Sequence, residues 1–168
     1  MNTIRLDVRT ILVIRQPGSP RVLLLRRNLS KGLFPGLITG VGGKVELALG
    51  EAEDITAAAL RELEEETPLF HHDVHPPQPK LVTIRREGEH TIVLLVWLLS
   101  TLCKEACLEL TSVEGDLEWY DENALPLSQM VPTAKDPIPF ILGLPDDDHS
   151  LYFGYYLGES SQLVLIPV

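Results

Sequence analysis

The stretch from Gly50 to Pro68 constrains the fold more than any other part of the chain. Ala and Leu dominate Ala57 to Leu63, acidic residues precede them, and Pro68 forbids continuation because its ring clashes with the preceding turn. One helix is therefore expected from about Glu53 to Glu66. At about 100° per residue, Ile55, Ala59 and Leu63 form an apolar stripe, and Glu62, Glu65 and Glu66 share the adjoining sector. The stripe needs a sheet to lie on. The clustered carboxylates repel one another, more strongly once desolvated, so something positive should face them.

The remaining segments read as strands. Arg9 to Arg15 and Arg21 to Arg27 are β-branched or Leu-rich runs around Gln-Pro-Gly-Ser-Pro, which predicts a hairpin. Asn28 to Gly43 is rich in Gly and lacks helical periodicity, so it is expected to be a long loop closing on the extended piece LITGVGG. Lys80 to Arg86 and His90 to Ser100 form a second hairpin around Glu87-Gly88-Glu89. Leu117 to Tyr120 is a strand, Glu122 to Gln129 a polar turn or short helix, and Ile138 to Leu142 a short helix. LYFGYYL and QLVLIPV make a third hairpin. Strands outnumber helices, and hairpins dominate the connections. The class is α+β, a mixed-sheet α/β/α sandwich. With no repeat or linker, residues 1–168 are read as a single domain.

Charge narrows the function. The chain has 24 acidic against 14 Lys and Arg residues, a net charge of −10. Such a surface repels a phosphate backbone, so general nucleic-acid binding is not expected. A small polyanion can still be held if a cation bridges it. The longest apolar run, Thr91 to Leu99, is far short of the roughly 20 residues that span a bilayer, and the start MNTIRLDVRT carries no secretory pattern. A cytoplasmic protein without a membrane partner is expected. Cys103 and Cys107 lie in CKEAC, neither a redox CxxC nor a set of four zinc ligands, and are read as free thiols.

Crowded carboxylate oxygens suit a hard cation, and Mg²⁺ takes oxygen ligands from a few carboxylates, waters and substrate phosphates. Gly42 and Gly43 permit close backbone approach, so a carbonyl there is a candidate ligand and Lys44 a candidate phosphate contact. Arg26 or Arg27, on alternating faces of a strand, could add charge for phosphates. Gly43-Lys44 is not a phosphate loop, because Ile38 and Val45 stand where that motif needs Gly and Ser or Thr. His71, His72 and His75 lie in a polar Pro-rich loop and are read as solvated.

From Gly43 to Leu69 the chain resembles the Nudix box. Arg61-Glu62-Leu63-Glu64-Glu65-Glu66-Thr67 reproduces its helical half, Glu53 stands eight residues before Arg61, and Gly-Gly-Lys-Val-Glu lies upstream. Two features depart from the pattern: nine residues instead of five separate Gly43 from Glu53, and Pro68 replaces the closing Gly. The longer spacing leaves Glu51 and Glu53 competing to brace Arg61. Glu53 is preferred, and its pairing requires the helix to begin after it. Beyond the box, RVLLLRR, GVGGKVE, EGDLEWYDENALP, MVP and the closing aromatic hairpin are similar to the MutT-type 8-oxo-dGTP diphosphatases.

The resemblance implies that Glu62, Glu65 and Glu66 bind metal, with the Gly42 carbonyl as a further ligand. Glu114 matches a downstream acid that binds metal or acts as base, with Asp116 and Glu118 as neighbours. Thr39 falls where the mammalian enzymes carry a base-reading Asn, and Thr133 and Ala134 where they carry two Asp, leaving Asp136 as a substitute. The implied activity is Mg²⁺-dependent hydrolysis of a phosphoanhydride in a nucleoside triphosphate, the oxidised purine 8-oxo-dGTP among the candidates, giving the monophosphate and pyrophosphate. Mn²⁺ is a second candidate ion. The order of preference for the base is Glu65, Glu62, Glu114. A nucleotide sugar or dinucleoside polyphosphate is the alternative substrate, and an inactive nucleotide-binding module the alternative function. A monomer or homodimer is expected.

Overall fold

The first two strands, which the local pattern reads as a hairpin, pair with each other only next to their turn. The computed structural model describes residues 5–46, 54–102, 111–156 and 162–166; Glu51, Glu53, Cys103 and Cys107 lie outside them. Strands β1 (Arg5–Arg15) and β2 (Arg21–Arg27) are antiparallel, but the register pairs only Ile14 with Leu23 and Arg15 with Val22. Along its whole length β1 runs parallel to β5 (His90–Ser100), from Arg5 beside His90 to Arg15 beside Ser100. That distant pairing explains why β1 begins at Arg5 rather than at Arg9.

The sheet grows outward from this pair. After the short β3 (Ile38–Thr39), β4 (Gln78–Glu87) turns antiparallel into β5 around Gly88, whose φ of +61° suits a two-residue hairpin. Next come β6 (Thr111–Ser112) and β7 (Gly115–Asp121), and finally β8 (Tyr152–Tyr156) and β9 (Leu163–Ile166), which form the expected closing hairpin. The order across the sheet is β6-β7-β2-β1-β5-β4-β8-β9, with β3 attached to β2. β7 outruns the expected Leu117 to Tyr120 because it pairs with β2 from Arg21 to Arg27.

Val22 to Leu25 and Ile11 to Ile14 are buried without interruption, as strands covered on both faces must be. On one face Leu12, Ile14, Leu23 and Leu25 meet Ala59 and Leu63 of α1 (Ile55–Glu66). On the other, Ile11, Val13, Val22 and Leu24 meet Ala134 of α2 (Pro132–Lys135) and Ile138 and Ile141 of α3 (Pro137–Leu142). The layers are those of the expected α+β sandwich. α2 escapes the sequence reading because it is a single turn begun by Pro132. Glu122 to Gln129 contains a turn at residues 122–123 and a 3₁₀ turn, Leu127–Gln129. Among the described residues no helix is long and apolar enough to cross a membrane.

Ile55 departs from the predicted stripe: it is 39% exposed, whereas Ala58, Ala59 and Leu63 are fully buried. The helix begins at Ile55, so its first side chain projects past the edge of the packed contact. Leu63→Ala should therefore destabilise by about 2–5 kcal/mol through a core cavity, and Ile55→Ala by about 1 kcal/mol or less. Urea unfolding of the two variants checks this ordering.

Candidate functional site

Both ends of α1 are fixed by side chains. The Asp54 carboxylate accepts from the Ala57 N–H at 2.6 Å, capping the first turn. At the other end the Thr67 hydroxyl donates to the Leu63 carbonyl at 2.7 Å and accepts from the Leu69 N–H at 3.0 Å. Thr67 and Pro68 together stop the helix without a glycine. The helix thus starts after Glu53, as a pairing of Glu53 with Arg61 requires, but the carboxylates of Glu51 and Glu53 lie outside the described residues.

The face of α1 that carries glutamates is turned inward. Glu62 and Glu66 are 8% and 7% exposed, and both lie against the Gly42–Gly43 backbone. The Gly42 N–H donates to Glu66 Oε2 at 2.7 Å. A Cβ on Gly43 would overlap the Glu62 carboxylate, and one on Gly42, where φ is +143°, would overlap the Thr10 carbonyl. Glycine is therefore required twice: once for the backbone conformation and once for closeness to the acids.

Glu65 belongs to a different arrangement. Its side chain is 58% exposed and its Oε2 accepts from Arg61 Nη1 at 3.0 Å, while the same nitrogen donates to Glu62 Oε1 at 2.9 Å. Arg61 Nη2 donates to the Lys44 carbonyl at 3.1 Å, tying the helix to the glycine loop. Lys44 contributes that carbonyl, and its side chain is exposed. Glu114, at the turn before β7, is paired with Lys31 of the 28–37 loop. The structure thus gathers Glu62, Glu66 and Gly42, and holds Glu65 through Arg61, which it shares with Glu62, and Glu114 through Lys31.

Electrostatics marks the inner pair. Burial pushes the Glu66 carboxyl up to about 8; the Gly42 N–H and Arg27 oppose the shift, and Glu62 and Glu114 add to it. Burial also raises Glu62, against the pull of Arg61 and with the charges of Glu65 and Glu114 in support. The acids feel one another and lack a sufficient counter-charge. Among the described residues no three His, Cys, Asp or Glu side chains converge as a ready-made cage. Two buried carboxylates against the Gly42–Gly43 backbone nevertheless fit the needs of Mg²⁺, which is bound through one or two carboxylates and keeps waters and phosphates for its other positions.

A cavity of about 190 Å³ opens off the same glycines, lined by Gly42, Gly43, Arg9, Arg27, Thr39, Val131 and Thr133, and at its far end, on β4, by Arg85 and Glu87. Arg27 and Thr39 are thereby brought to the site. Arg26 is engaged elsewhere, donating to the Gly36 carbonyl, Gln129 and the Tyr120 hydroxyl. Asp136 sits at the junction of α2 and α3, where its charge helps push Tyr156 up to about 12, after burial as the main cause. Sequence reasoning missed Arg9, Arg85 and Glu87. Their only local signal is that Arg85 and Glu87 stand two apart on a strand and so share a face. A larger cavity, about 740 Å³, lies at the other end of the sheet around residues 15–20 and 75–78, and none of the expected site residues lines it.

The family model described as NUDIX domain matches residues 5–140. The fold is similar to that of a NUDIX hydrolase from Nitrosomonas europaea, with a TM-score of 0.67 and 18% identity over 90% of this chain and 79% of that one. It is also similar to a MutT protein from Bacillus halodurans, with a TM-score of 0.62 and 21% identity over 94% of each chain. An ADP-ribose pyrophosphatase from Streptococcus suis aligns with a TM-score of 0.56 and 17% identity over 89% of this chain and 98% of that one. At these identities the likeness is one of fold. No curated protein sequence matches this chain.

The raised Glu66 carboxyl has a consequence for stability. A carboxyl at about 8 in the folded state against an ordinary 4.5 favours folding fully below pH 4.5. That contribution is lost as pH rises from 4.5 through 8. In metal-free protein, the urea midpoint of the wild type should fall over this window, and that of Glu66→Gln should fall less. Equal slopes would remove Glu66 as the source.

Proposed function

The chain belongs to the Nudix family, hydrolases of nucleoside diphosphate derivatives, and on that premise we propose that it is a MutT-type pyrophosphohydrolase acting on nucleoside triphosphates. Its products are the nucleoside monophosphate and pyrophosphate. The reading treats residues 1–168 as one domain. One observation carries it: the buried Glu62–Glu66 pair and the small cavity share a wall, Gly42–Gly43. Phosphate chemistry and substrate binding are thus contiguous.

Glu62, Glu66 and the Gly42 carbonyl would hold Mg²⁺, or Mn²⁺ in its place, with Glu65 and Glu114 able to join once their arginine and lysine partners let go. When bound, the ion neutralises phosphate oxygens and lowers the pKa of a bound water. Glu65 is the base of first choice, followed by Glu62 and Glu114: it is exposed enough to pass a proton to solvent, and Arg61 holds it beside Glu62. Arg27 lines the cavity, with its Nε donating to the Leu33 carbonyl at 3.0 Å and its charge felt by Glu66, and is the preferred phosphate contact over Arg26. Lys44 remains an outer phosphate contact. Thr39 lines the cavity, and Asp136 is retained as a more distant substrate contact.

Testing needs a nucleotide panel with Mg²⁺, pyrophosphate and orthophosphate being followed separately. Pyrophosphate release from triphosphates supports the reading. Turnover of ADP-ribose or dinucleoside polyphosphates without turnover of triphosphates overturns it in favour of the alternative substrate class.

Two further outcomes are expected. Glu65→Gln and Glu66→Gln should each lower turnover by about 10²- to 10⁴-fold while the protein stays folded by circular dichroism. Near wild-type rates in both would remove these residues from the site. With Thr133 and Ala134 in place of carboxylates, preference for 8-oxo-dGTP over dGTP should stay below about 100-fold in kcat/KM.

A further inference from the structure

The far end of the cavity is built unlike its catalytic end. The register across β1, β5 and β4 sets Asp7, Ile92 and Arg85 side by side in one row, and Arg9, Leu94 and Thr83 in the next. Ile92 and Leu94 therefore form an aliphatic floor with a charged pair on each side, about 10 Å apart at two strand spacings. On one side Arg9 donates twice to Asp7 Oδ2, at 3.0 and 2.8 Å. On the other, Arg85 Nε forms an ion pair with Glu87 Oε1 at 2.8 Å, and its guanidinium stands over the Tyr156 ring at 5.4 Å. A flat apolar floor with polar rims matches a planar heterocycle, apolar on its faces and polar at its edges. The volume, about 190 Å³, is below that of a site for a whole drug-sized molecule.

The charges argue against a second phosphate here, since each arginine already has a carboxylate beside it. What they leave over is hydrogen bonding. Arg85 Nη1 is buried with no acceptor among the described residues, although buried donors are nearly always paired. Glu87 is half exposed and keeps its second oxygen beyond the one that Arg85 Nε uses. Arg85, its side chain 23% exposed, and Glu87 thus set a guanidinium and a carboxylate acceptor next to each other on the cavity wall. A guanine-type edge offers the complement: a carbonyl oxygen for the arginine, then an N–H and an amino group that a carboxylate accepts from together. An adenine edge, with one amino group and a ring-nitrogen acceptor, leaves part of that carboxylate facing an acceptor.

Resting on the reading of the site given above, we propose that Arg85 and Glu87 are the specificity-determining pair and select a guanine-type base edge over adenine. Arg85 donates to the base carbonyl, Glu87 accepts from the adjacent N–H groups, and the Tyr156 ring holds the guanidinium in place. The same edge is present in guanine and in 8-oxoguanine, so the pair does not separate those two.

Equilibrium binding of GMP and AMP, measured by calorimetry, tests the pair without requiring turnover. Wild type should bind GMP at least tenfold more tightly than AMP. Glu87→Gln and Arg85→Gln should each cut that ratio at least fivefold by weakening GMP. Arg86→Gln, which removes a neighbouring exposed β4 arginine bonded to the Gly88 carbonyl, should leave it unchanged. In the hydrolysis panel, loss of guanine preference should appear in KM more than in kcat. A GMP to AMP ratio near one in wild type, or a ratio unchanged by both substitutions in folded protein, overturns the proposal. Absence of triphosphate turnover with the binding ratio intact would instead overturn the catalytic reading and leave the pair standing.

Discussion

The contact between two buried carboxylates and a glycine backbone organises the rest of the molecule. Glu62 and Glu66 project from α1 toward the sheet, where an ordinary helix would present only apolar side chains. Their burial raises both pKa values, a cost that well-packed Leu would not incur. Gly42 and Gly43 make the contact possible, because a Cβ at either position would meet backbone or carboxylate. The Gly42 N–H satisfies one oxygen of Glu66, and the remaining lone pairs face a cluster of like charge. An isolated protein has little to gain from such an arrangement, whereas a cation and its phosphate ligands would offset it.

Arg61 connects this inner pair to the outside. One nitrogen bonds both Glu62 and Glu65 while another reaches the Lys44 carbonyl, so the helix, the buried acid and the glycine loop share one guanidinium. A planar fork with several fixed donors can do this where a lysine could not. The Lys31–Glu114 pair plays a similar part on the opposite rim, joining the loop after β2 to the turn before β7. The cavity beside the glycine loop is positioned by the sheet: β5 forms its floor, with β1 on one side and β4 on the other.

Much of this was legible in the residue pattern, and for local reasons. The helix, its stop at Pro68 and the hairpins around Gly88 and after β8 depend on neighbours in sequence, so propensity and turn chemistry suffice. The acid cluster and the glycines before it were likewise visible as a spacing. Elements set by distant partners were misjudged: β1 lengthened because of β5, β7 because of β2, and Ile55 fell outside the contact that its periodicity suggested.

Spacing on a helix placed Glu62, Glu65 and Glu66 within reach of one sector, and the sequence determined that much by itself, since 3.6 residues per turn is a property of the backbone. It could not say which of the three is buried. That depends on where the sheet edge and the glycine loop lie against α1, and only the tertiary structure decided that Glu62 and Glu66 turn inward and Glu65 outward to Arg61. The same holds for Arg9, Arg85 and Glu87, unremarkable charges in three separate positions until the parallel pairing of β1 with β5 sets β1 and β4 two strand spacings apart across a common floor. Lateral strand order is a long-range choice, and no local pattern encodes it.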